Sequence, residues 1–367
     1  MRRVFLIHTA ALAGCFEGNS TPAKEILESF GSADVIFEMG RKEAVQTCPP
    51  LEKIAHKLFS RERLDAAARD VDWALEHDVE MIAAGDSDYP ERLLQCPDPP
   101  LLIYKKGRID FSRPRFIAIV GTRASTQYGR RYTERIVEGL SSLAVKPVIV
   151  SGLALGIDTH AHTFALKYGL DTVAVMATGF DTLYPPSNDH LAAEILQHGA
   201  LVTEFSPFVP SFPINFVRRN RIIAGLSDCT LVVESKAKGG GLITAQMAQD
   251  YNRSVFAVPG RIDDNTFRGC NQIIEDNVAA IVSGAGSIIR AMGWDTADAA
   301  LPLVFSDIDE DSLKGRILKF LLENPESEVR EIAFALETTP QNLALPLLEL
   351  EMAGRIAIVS GNKYRIK

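Results

Sequence analysis

Residues 116–123 read Phe-Ile-Ala-Ile-Val-Gly-Thr-Arg, and this stretch decides the fold. An unbroken run of apolar residues is typical of a β-strand that is buried on both faces, as in parallel sheets. The glycine that follows allows the chain to turn tightly where the strand ends. The stretch therefore predicts a buried parallel strand with Arg123 at its carboxyl end.

The same pattern recurs through the middle of the chain. Further apolar runs end in a glycine, a proline or a polar residue: Val148–Val150, Thr172–Met176, Leu201–Val202, Thr230–Val233 and Val255–Val258. Helical patterns lie between them: Tyr132–Leu143, Thr159–Tyr168, Asp189–His198 and Leu242–Tyr251. This alternation predicts an α/β fold, a mostly parallel sheet with helices on both faces. Ligands of such sheets bind beyond the carboxyl ends of the strands, so the residues at the strand ends are the functional candidates.

The flanking regions have a different character. Residues 1–80 show short helical patterns, and prolines interrupt residues 81–110 around the apolar run Leu101–Tyr104. The last part of the chain shows three helical patterns and a hairpin turning at Ser360–Asn362, which is the plan of a winged helix. We predict a helical domain at 1–80, a sheet domain at 81–293, a linker at 294–311 and a winged-helix-like domain at 312–367.

The charge of the carboxyl-terminal domain bears on its role. It holds eight basic and seven acidic residues, a net charge of +1. A domain that reads duplex DNA usually has a strong basic bias. We therefore expect this domain to contact another protein at least as readily as it contacts duplex DNA.

Length and composition indicate an ordinary soluble globular protein of two or three domains. The chain has 367 residues, of which 46% are hydrophobic and 23% charged. No apolar run reaches the roughly 18 to 20 residues needed to cross a bilayer. The five cysteines are odd in number and include no Cys-x-x-Cys pair, which favours reduced thiols and a cytoplasmic location.

The amino terminus leaves one alternative open. Arg2 and Arg3 precede an apolar segment, and Leu12–Cys15 has the form of a lipoprotein cleavage site. The segment is short, is interrupted by His8 and Thr9, and runs directly into further amphipathic sequence. A cytoplasmic protein with no membrane partner is the favoured interpretation.

Positive charge is concentrated in two segments of a chain whose formal net charge is −8. Neither contains an acidic residue: Pro213–Gly225 carries Phe216, Arg218, Arg219, Asn220 and Arg221, and Phe111–Thr133 carries Arg113, Arg115, Arg123, Arg130 and Arg131. Guanidinium groups suit phosphate oxygens, and an aromatic ring offers a stacking face to an unpaired base. The alternative is that these arginines pair with nearby carboxylates. Two such segments favour a focused site for an anionic ligand.

The loop after the first strand argues against a dinucleotide cofactor. Of the G-x-G-x-x-G pattern of dinucleotide-binding folds, Gly121-Thr122-Arg123 keeps only the first glycine. Arg123 also occupies the space that a pyrophosphate would need. We expect no cofactor and predict that Arg123 holds a phosphate, with a structural salt bridge as the alternative.

Two further strand-end loops have the composition of anion cradles. After the second strand, Ser151, Gly152 and Gly156 allow close approach of a ligand to the backbone. Asp158 in that loop has the position of a helix N-cap, which we favour over a catalytic role. After the fifth strand the candidates are Lys236, Lys238, Gly239, Gly240 and Thr244. Their amides and charges fit phosphate, although the spacing is not that of a Walker loop, and Thr244 has the alternative of bonding within its own helix.

Recognisable catalytic and metal-binding sets are missing from the sequence. His160 and His162 are two residues apart, so they point to different helix faces, and no other histidine has convincing zinc spacing. Ser151 lacks an identifiable base, and no G-x-S-x-G is present. We expect neither an enzyme nor a metal site.

Taken together, these motifs resemble the DNA-processing protein A family (DprA, also called Smf). The resemblance covers roughly residues 85 to 290 and rests on Phe116–Arg123, Ser151–Asp158, Gly179, Tyr184-Pro185, Asn188, Arg219–Ser227, Leu242–Ala245, Val255–Gly260 and Gly269–Asn271. It implies a Rossmann-like core that binds single-stranded DNA, dimerises and loads the RecA recombinase on incoming strands during natural transformation. Arg123 and Arg219-Asn220-Arg221 match the family's phosphate-contact motifs.

The flanks match the family more loosely. Its amino-terminal module often carries a Gly-Ile-Gly type helix-hairpin-helix turn, whereas this chain reads Cys15-Phe-Glu-Gly-Asn19. Two other functions are weighed against the resemblance. A phosphoribohydrolase-like nucleotide-processing enzyme would favour P-G-G-x-G-T-x-x-E, which Gly239–Thr244 does not follow. A scaffold that binds an acidic protein through its basic segments would not retain DNA at moderate salt.

Overall fold

The computed structural model describes residues 2–16, 21–295, 312–324, 326–353, 355–359 and 363–366. The chain divides into two compact units, Met1–Ile288 and Ile289–Lys367. The boundary that we predict between residues 80 and 81 falls inside the first unit and stays a prediction. The linker beyond residue 295, the segment 17–19 and the turn at 360–362 lie outside the described residues.

The first unit begins with a layer of helices: α1 (Arg2–Ala13), α2 (Thr21–Phe30), α3 (Ala33–Thr47), α4 (Glu52–Leu58) and α5 (Arg61–Glu76). Ser60 caps α5 by accepting a hydrogen bond from the backbone amide of Arg63. The apolar faces of these helices form one hydrophobic core, which continues into the first strands of the sheet through Met81 and Tyr104. The helical region that the sequence predicts is therefore packed against the sheet.

A nine-stranded sheet organises the rest of the first unit. Its strands are β1 (Glu80–Ala83), β2 (Leu102–Gly107), β3 (Phe116–Val120), β4 (Val148–Ser151), β5 (Thr172–Val175), β6 (Gly199–Thr203), β7 (Cys229–Val232), β8 (Ser254–Ala257) and β9 (Ala280–Ile281). Helices α6 (Glu91–Leu94), α7 (Gln127–Ser141), α8 (Ile157–Lys167), α9 (Asp189–Ile195), α10 (Pro213–Gly225), α11 (Gly240–Asp250), α12 (Arg268–Glu275) and α13 (Ala285–Ala291) follow or connect them.

The strand order places a crevice beside β3. The order is β1-β2-β6-β5-β4-β3-β7-β8-β9, and the seven strands from β6 to β9 are parallel. From β3 the chain moves outward through β4, β5 and β6, then returns to β7 and moves outward in the other direction. Ligands of doubly wound sheets bind at such a reversal, outside the carboxyl ends of the two neighbouring strands.

The predicted α/β class is confirmed, and the six predicted strands are β3 to β8. The two edges of the sheet were not predicted from the sequence. Strands β1 and β2 pair antiparallel to each other, and β2 pairs antiparallel to β6. In the sequence, Leu101–Tyr104 shows only a short apolar run, and β1 and β9 are too short to carry a periodic signal.

The second unit contains α14 (Leu313–Glu323), α15 (Val329–Ala335), α16 (Pro340–Met352) and a three-stranded sheet of β10 (Ser327–Glu328), β11 (Ile356–Val359) and β12 (Lys363–Ile366). The three helices and the two hairpin strands that the sequence predicts are present. Ile317, Leu343 and Leu350 lie in the core that these elements share. Among the described residues of the whole chain, no helix is both long and apolar enough to span a bilayer.

Candidate nucleic-acid interface

The crevice beside β3 and β7 is an open cleft of about 750 Å³. Most of the candidate DNA contacts line it: Gly121, Thr122, Arg123, Phe216, Arg219, Asn220, Lys236, Lys238, Gly239, Gly240 and Thr244. They come from the loops after β3 and β7 and from α10 and α11. Five candidates lie elsewhere: Ser151, Gly152, Gly156, Arg218 and Arg221.

The loop that carries Arg123 is held from both sides. The amide of Thr122 donates to the carbonyl of Glu234 at 2.8 Å, and the amide of Ile157 donates to the carbonyl of Thr122 at 3.1 Å. The buried carboxylate of Glu234 accepts from the amide and hydroxyl of Thr126, at 2.9 and 3.0 Å. Because backbone and side chain both anchor the loop, the position of Arg123 is set before any ligand arrives.

Arg123 belongs to an aromatic cluster at the mouth of the cleft. Its guanidinium carbon lies 4.6 Å from the centroid of the Phe216 ring. The ring of Tyr184 meets Phe216 edge-on, with a centroid distance of 5.4 Å. Arg123 is exposed and pairs with no carboxylate in the part of the chain that the structure describes. The cluster therefore offers one unpaired guanidinium and two aromatic faces to a ligand.

Arg219 lies deeper in the cleft, beside Asp158. Its side chain donates to the carbonyl of Val175, and its Nε is buried with no hydrogen-bond partner. Burial lowers the pKa of Arg219 to about 10, so the guanidinium stays charged at neutral pH. Burial raises the pKa of the Asp158 carboxyl, and the neighbouring charge of Arg219 opposes that shift. The pair forms the floor of the cleft.

The glycines after β4 support this floor. A Cβ on Gly152 would meet the carboxylate of Asp158 and would lie 2.6 Å from the guanidinium nitrogens of Arg219, so a larger residue there would displace the ends of both side chains. Gly156 has a φ of +82° and packs against the backbone of Thr122 and Arg123. Ser151 is buried beneath the cleft and donates to the carbonyl of Ile119 at 2.6 Å. These three residues therefore support the floor of the cleft without lining it.

The assignment of Asp158 as a helix N-cap was wrong. Helix α8 begins at Ile157, so its N-cap is Gly156. The Asp158 carboxylate instead lies next to Arg219 and accepts from the amide of Ala154 at 3.4 Å. Because Gly156 adopts a positive φ and serves as the N-cap, the helix begins at Ile157. An N-cap at Asp158 would have placed its first residue two positions later.

The opposite wall consists of the glycine-rich loop and the start of α11. Gly239 is the N-cap of α11, and a Cβ on Gly240 would meet nothing within 4 Å. The first amides of a helix have no partners within the helix and attract anions. Lys236 and Lys238 are exposed at this wall, whereas Thr244 is buried. Among the residues that line the cleft, four cations and the one carboxylate of Asp158 give a formal charge of +3.

Two arginines of the α10 segment are separated from the cleft. The side chain of Arg221 is 5% exposed, pairs with Glu204 and donates to the carbonyl of Asp98. Arg218 lines a different cavity, on the other side of α10. The alternative that these arginines pair with nearby carboxylates therefore holds for Arg221.

The other basic segment is divided in the same way. Arg113 pairs with Asp171, and the buried Arg115 donates to the carbonyl of Val145 at 2.8 Å. Both residues precede β3 and so lie at the opposite end of the strand from Arg123. Of the arginines in the two acid-free segments, the cleft therefore holds Arg123, which follows β3, and Arg219, which lies on α10.

Three residues that build the site were not predicted to belong to it: Tyr184, Asp158 and Glu234. Tyr184 lines the cleft and contacts Phe216, although it lies 32 positions before Phe216 in the chain. Its position after the third predicted strand was a usable signal, because strand ends converge at one edge. No group of three or more potential metal ligands occurs among the described residues.

Comparison with known proteins places this fold and site in one family. The chain belongs to the DNA recombination-mediator protein A family, whose model matches residues 80–293. It is 36% identical over 240 residues to Protein Smf of Synechocystis sp., a match that covers 64% of this chain and 58% of the Synechocystis protein. The chain thus spans less than two thirds of that relative.

Solved structures of DNA processing protein A support the same family assignment. The X-ray structure of DNA processing protein A (DprA) from Streptococcus pneumoniae superposes with a TM-score of 0.58 at 31% identity, covering 74% of this chain and 97% of that one. A DNA processing protein A structure from Helicobacter pylori, described by its single-stranded DNA binding mode, gives 0.53 at 28% identity, covering 59% and 96%. The resemblance stated from the motifs is confirmed.

Proposed function

We propose that this protein binds single-stranded DNA across the carboxyl ends of β3 and β7 and acts by binding, without catalysing a reaction. The observation that carries the proposal is the unpaired guanidinium of Arg123 stacked on Phe216 in a cleft of formal charge +3. A flexible strand can place its phosphates on the cations and splay its bases onto the rings. A rigid duplex cannot present its bases in this way.

The electrostatics favour a local rather than a diffuse contact. The whole chain has a formal net charge of −8, so most of its surface repels a polyanion. The amides at the start of α11 and the two lysines beside them extend the positive site toward β7. The H. pylori relative named above has a described single-stranded DNA binding mode, which supports the same ligand here.

The wider role in this proposal follows the family. The protein protects incoming single strands in the cytoplasm and loads the RecA recombinase on them during transformation and recombination, working as a homodimer. A strand-exchange assay with RecA measures loading, and sedimentation equilibrium measures the dimer. A monomer that leaves RecA activity unchanged would contradict this wider role.

A gel-shift series tests the binding function. Wild-type protein should retain a single-stranded oligonucleotide more tightly than the matching duplex, and the affinity should fall as salt rises. Arg123→Glu should lower single-strand affinity at least tenfold, because it places a carboxylate where a phosphate lies. Unchanged binding by this variant would remove Arg123 from the site.

The matched control is Arg108→Glu. Arg108 is exposed and follows β2, and its amide bonds to the carbonyl of Gly199 at the amino end of β6. The substitution changes the charge of the protein by the same amount at the opposite edge of the sheet. It should leave single-strand affinity within about twofold of wild type.

A further inference from the structure

A second cavity of about 630 Å³ lies on the other side of α10. It is bounded by α1, α5 and the segment between β6 and α10, all within the first unit. Arg63, Arg69 and Arg218 line it together with the carboxylates of Asp70 and Glu204. Its size is within the range of ligand pockets, and its lining is a mixture of charged and apolar groups.

Three large apolar side chains that line this cavity are half in solvent. Phe208, Phe212 and Ile214 are 50%, 51% and 53% exposed. Phe208 is steadied by an edge-on contact with Trp73, with ring centroids 6.0 Å apart. Apolar surface grouped in this way, with polar groups around it, is typical of a binding site.

Most charges of the cavity are sorted by depth, and the exception is Arg63, whose side chain is 17% exposed and lies 3.8 Å from Asp70. Arg69 is exposed and Arg218 is half-buried, whereas Asp70 is 4% exposed and the side chain of Glu204 is 7% exposed. Asp70 accepts from the hydroxyl of Ser206 at 2.7 Å, and Oε1 of Glu204 is buried with no hydrogen-bond partner. Buried carboxylates repel a phosphate but accept hydrogen bonds from the N–H groups of a neutral base. The arginines nearer the solvent are suited to the phosphate.

The two cavities share one stretch of backbone. Ser211 and Pro213 line the first cleft, and Phe212 and Ile214 line the second cavity. Successive Cα atoms are about 3.8 Å apart, so the two openings meet along this stretch. About one turn further along α10, Arg218 lines the second cavity and Arg219 lines the cleft. A strand that occupies the cleft therefore passes next to the second cavity.

We propose that the second cavity takes one unpaired base of the strand that crosses the cleft, with the base against Phe212 and its phosphate near Arg69 and Arg218. This inference rests on the proposed single-strand binding and adds a subsite to it. The base donates its N–H groups toward the carboxylates, and the sugar-phosphate chain continues into the cleft. The site then recognises an unstacked nucleotide, which duplex DNA does not present.

An abasic scan tests the subsite. Short single strands, each with one abasic position, are titrated by fluorescence anisotropy against wild type and Phe212→Ala. In wild type, an abasic residue at the position held by the cavity should weaken binding by about tenfold, the scale of one lost base stack. In Phe212→Ala that penalty should disappear while the penalties at other positions remain, because the two changes remove the same contact.

Leu75→Ala is the control. Leu75 is 64% exposed on α5, the same helix as Asp70, and it lines a different cavity. It should keep the wild-type pattern of penalties. If every penalty persists in Phe212→Ala, the subsite is overturned while strand binding stands. If wild type does not retain the strand at all, the proposed function fails as well.

A competition experiment shows whether the second cavity binds a nucleotide of the DNA strand or a free nucleotide. Free deoxynucleoside monophosphates at millimolar concentration should not displace the strand, since a single nucleotide lacks the contacts in the cleft. Displacement that is lost in Phe212→Ala but kept in Arg123→Glu would overturn the proposal, because the cavity would then be a site for free nucleotides.

Discussion

The guanidinium of Arg123 stacks on the ring of Phe216, 4.6 Å from its centroid, although the two residues lie on different elements. Arg123 follows β3, and Phe216 lies on α10. A cation held over a ring is already desolvated on one side, so less free energy is spent on ordering it when a phosphate binds. The contact thus prepares both groups for one nucleotide.

Removal of the ring should weaken binding without affecting the fold. We expect Phe216→Ala to lower single-strand affinity by about tenfold, because base–aromatic stacking is worth roughly 1–3 kcal/mol. Phe216→Trp should keep most of the affinity. Anisotropy titration measures the effect, and equal affinities for Phe216→Ala and wild type would show that no base stacks there.

The salt dependence should report how many phosphates the cleft neutralises. For single strands the slope of log K against log salt is about −0.7 per phosphate. Lys238→Ala should therefore make the slope less steep by about 0.7, since Lys238 is an exposed cation of the cleft. Lys53→Ala, an exposed lysine of α4, should leave the slope unchanged. Identical slopes for all three proteins would place Lys238 outside the contact.

Arg221 should act on stability rather than on DNA. It pairs with Glu204, and both side chains are less than 10% exposed. Arg221→Ala leaves a buried carboxylate without its partner, which costs about 3–5 kcal/mol of unfolding free energy. Urea denaturation measures this loss, and Arg123→Ala should show almost none. A fully stable Arg221→Ala protein with no DNA binding would reverse the assignment.

The stability of the protein should fall in mild acid because of His162. This buried histidine contacts the carbonyl of Gly152 and the hydroxyl of Thr172, and burial lowers its pKa from 6.5 to about 4. Below pH 6.5 the unfolded chain binds the proton first, so stability is lost between about pH 6.5 and 4. The loss is roughly 3 kcal/mol.

Denaturation at pH 7, 5.5 and 4.5 measures this loss. His162→Gln should remove that part of the pH dependence, whereas His56→Gln, at an exposed position on α4, should retain it. The raised pKa of Asp158 acts in the opposite direction, because the folded state then holds the proton more tightly. The effect of Asp158 is the same in wild type, His162→Gln and His56→Gln, so it cancels when their stabilities are compared. A His162→Gln protein with an unchanged acid transition would contradict the prediction.

Gly152 should be required for the floor of the cleft. A Cβ there would come within 2.6 Å of the Arg219 guanidinium, so Gly152→Ala must displace that side chain. We expect a loss of single-strand affinity of about tenfold together with lower thermal stability. Gly85→Ala is the control, because a Cβ on Gly85 would meet nothing within 4 Å. Equal behaviour of the two variants would mean that Arg219 can move without consequence.

The sequence by itself determined the α/β class, the strands β3 to β8 and the loops that form the cleft. Unbroken apolar runs report burial on both faces, and the residues after such runs must meet at one edge of a parallel sheet. Arg123 and Lys238 were found in this way, and Phe216 was found because it lies in the acid-free segment Pro213–Gly225. Edge strands β1 and β9 escaped because two to four residues carry no periodic pattern.

Only the tertiary structure decided which arginines are available. Arg218, Arg219 and Arg221 are neighbours in sequence, yet successive helix positions point in different directions, so one lines the second cavity, one lies in the cleft and one is buried against Glu204. Arg219 contacts Val175 of β5 and Asp158 of α8, and Arg221 pairs with Glu204 after β6, all of them distant in the chain. Because the charge of a site depends on the spatial arrangement of its partners, no local pattern could reveal it.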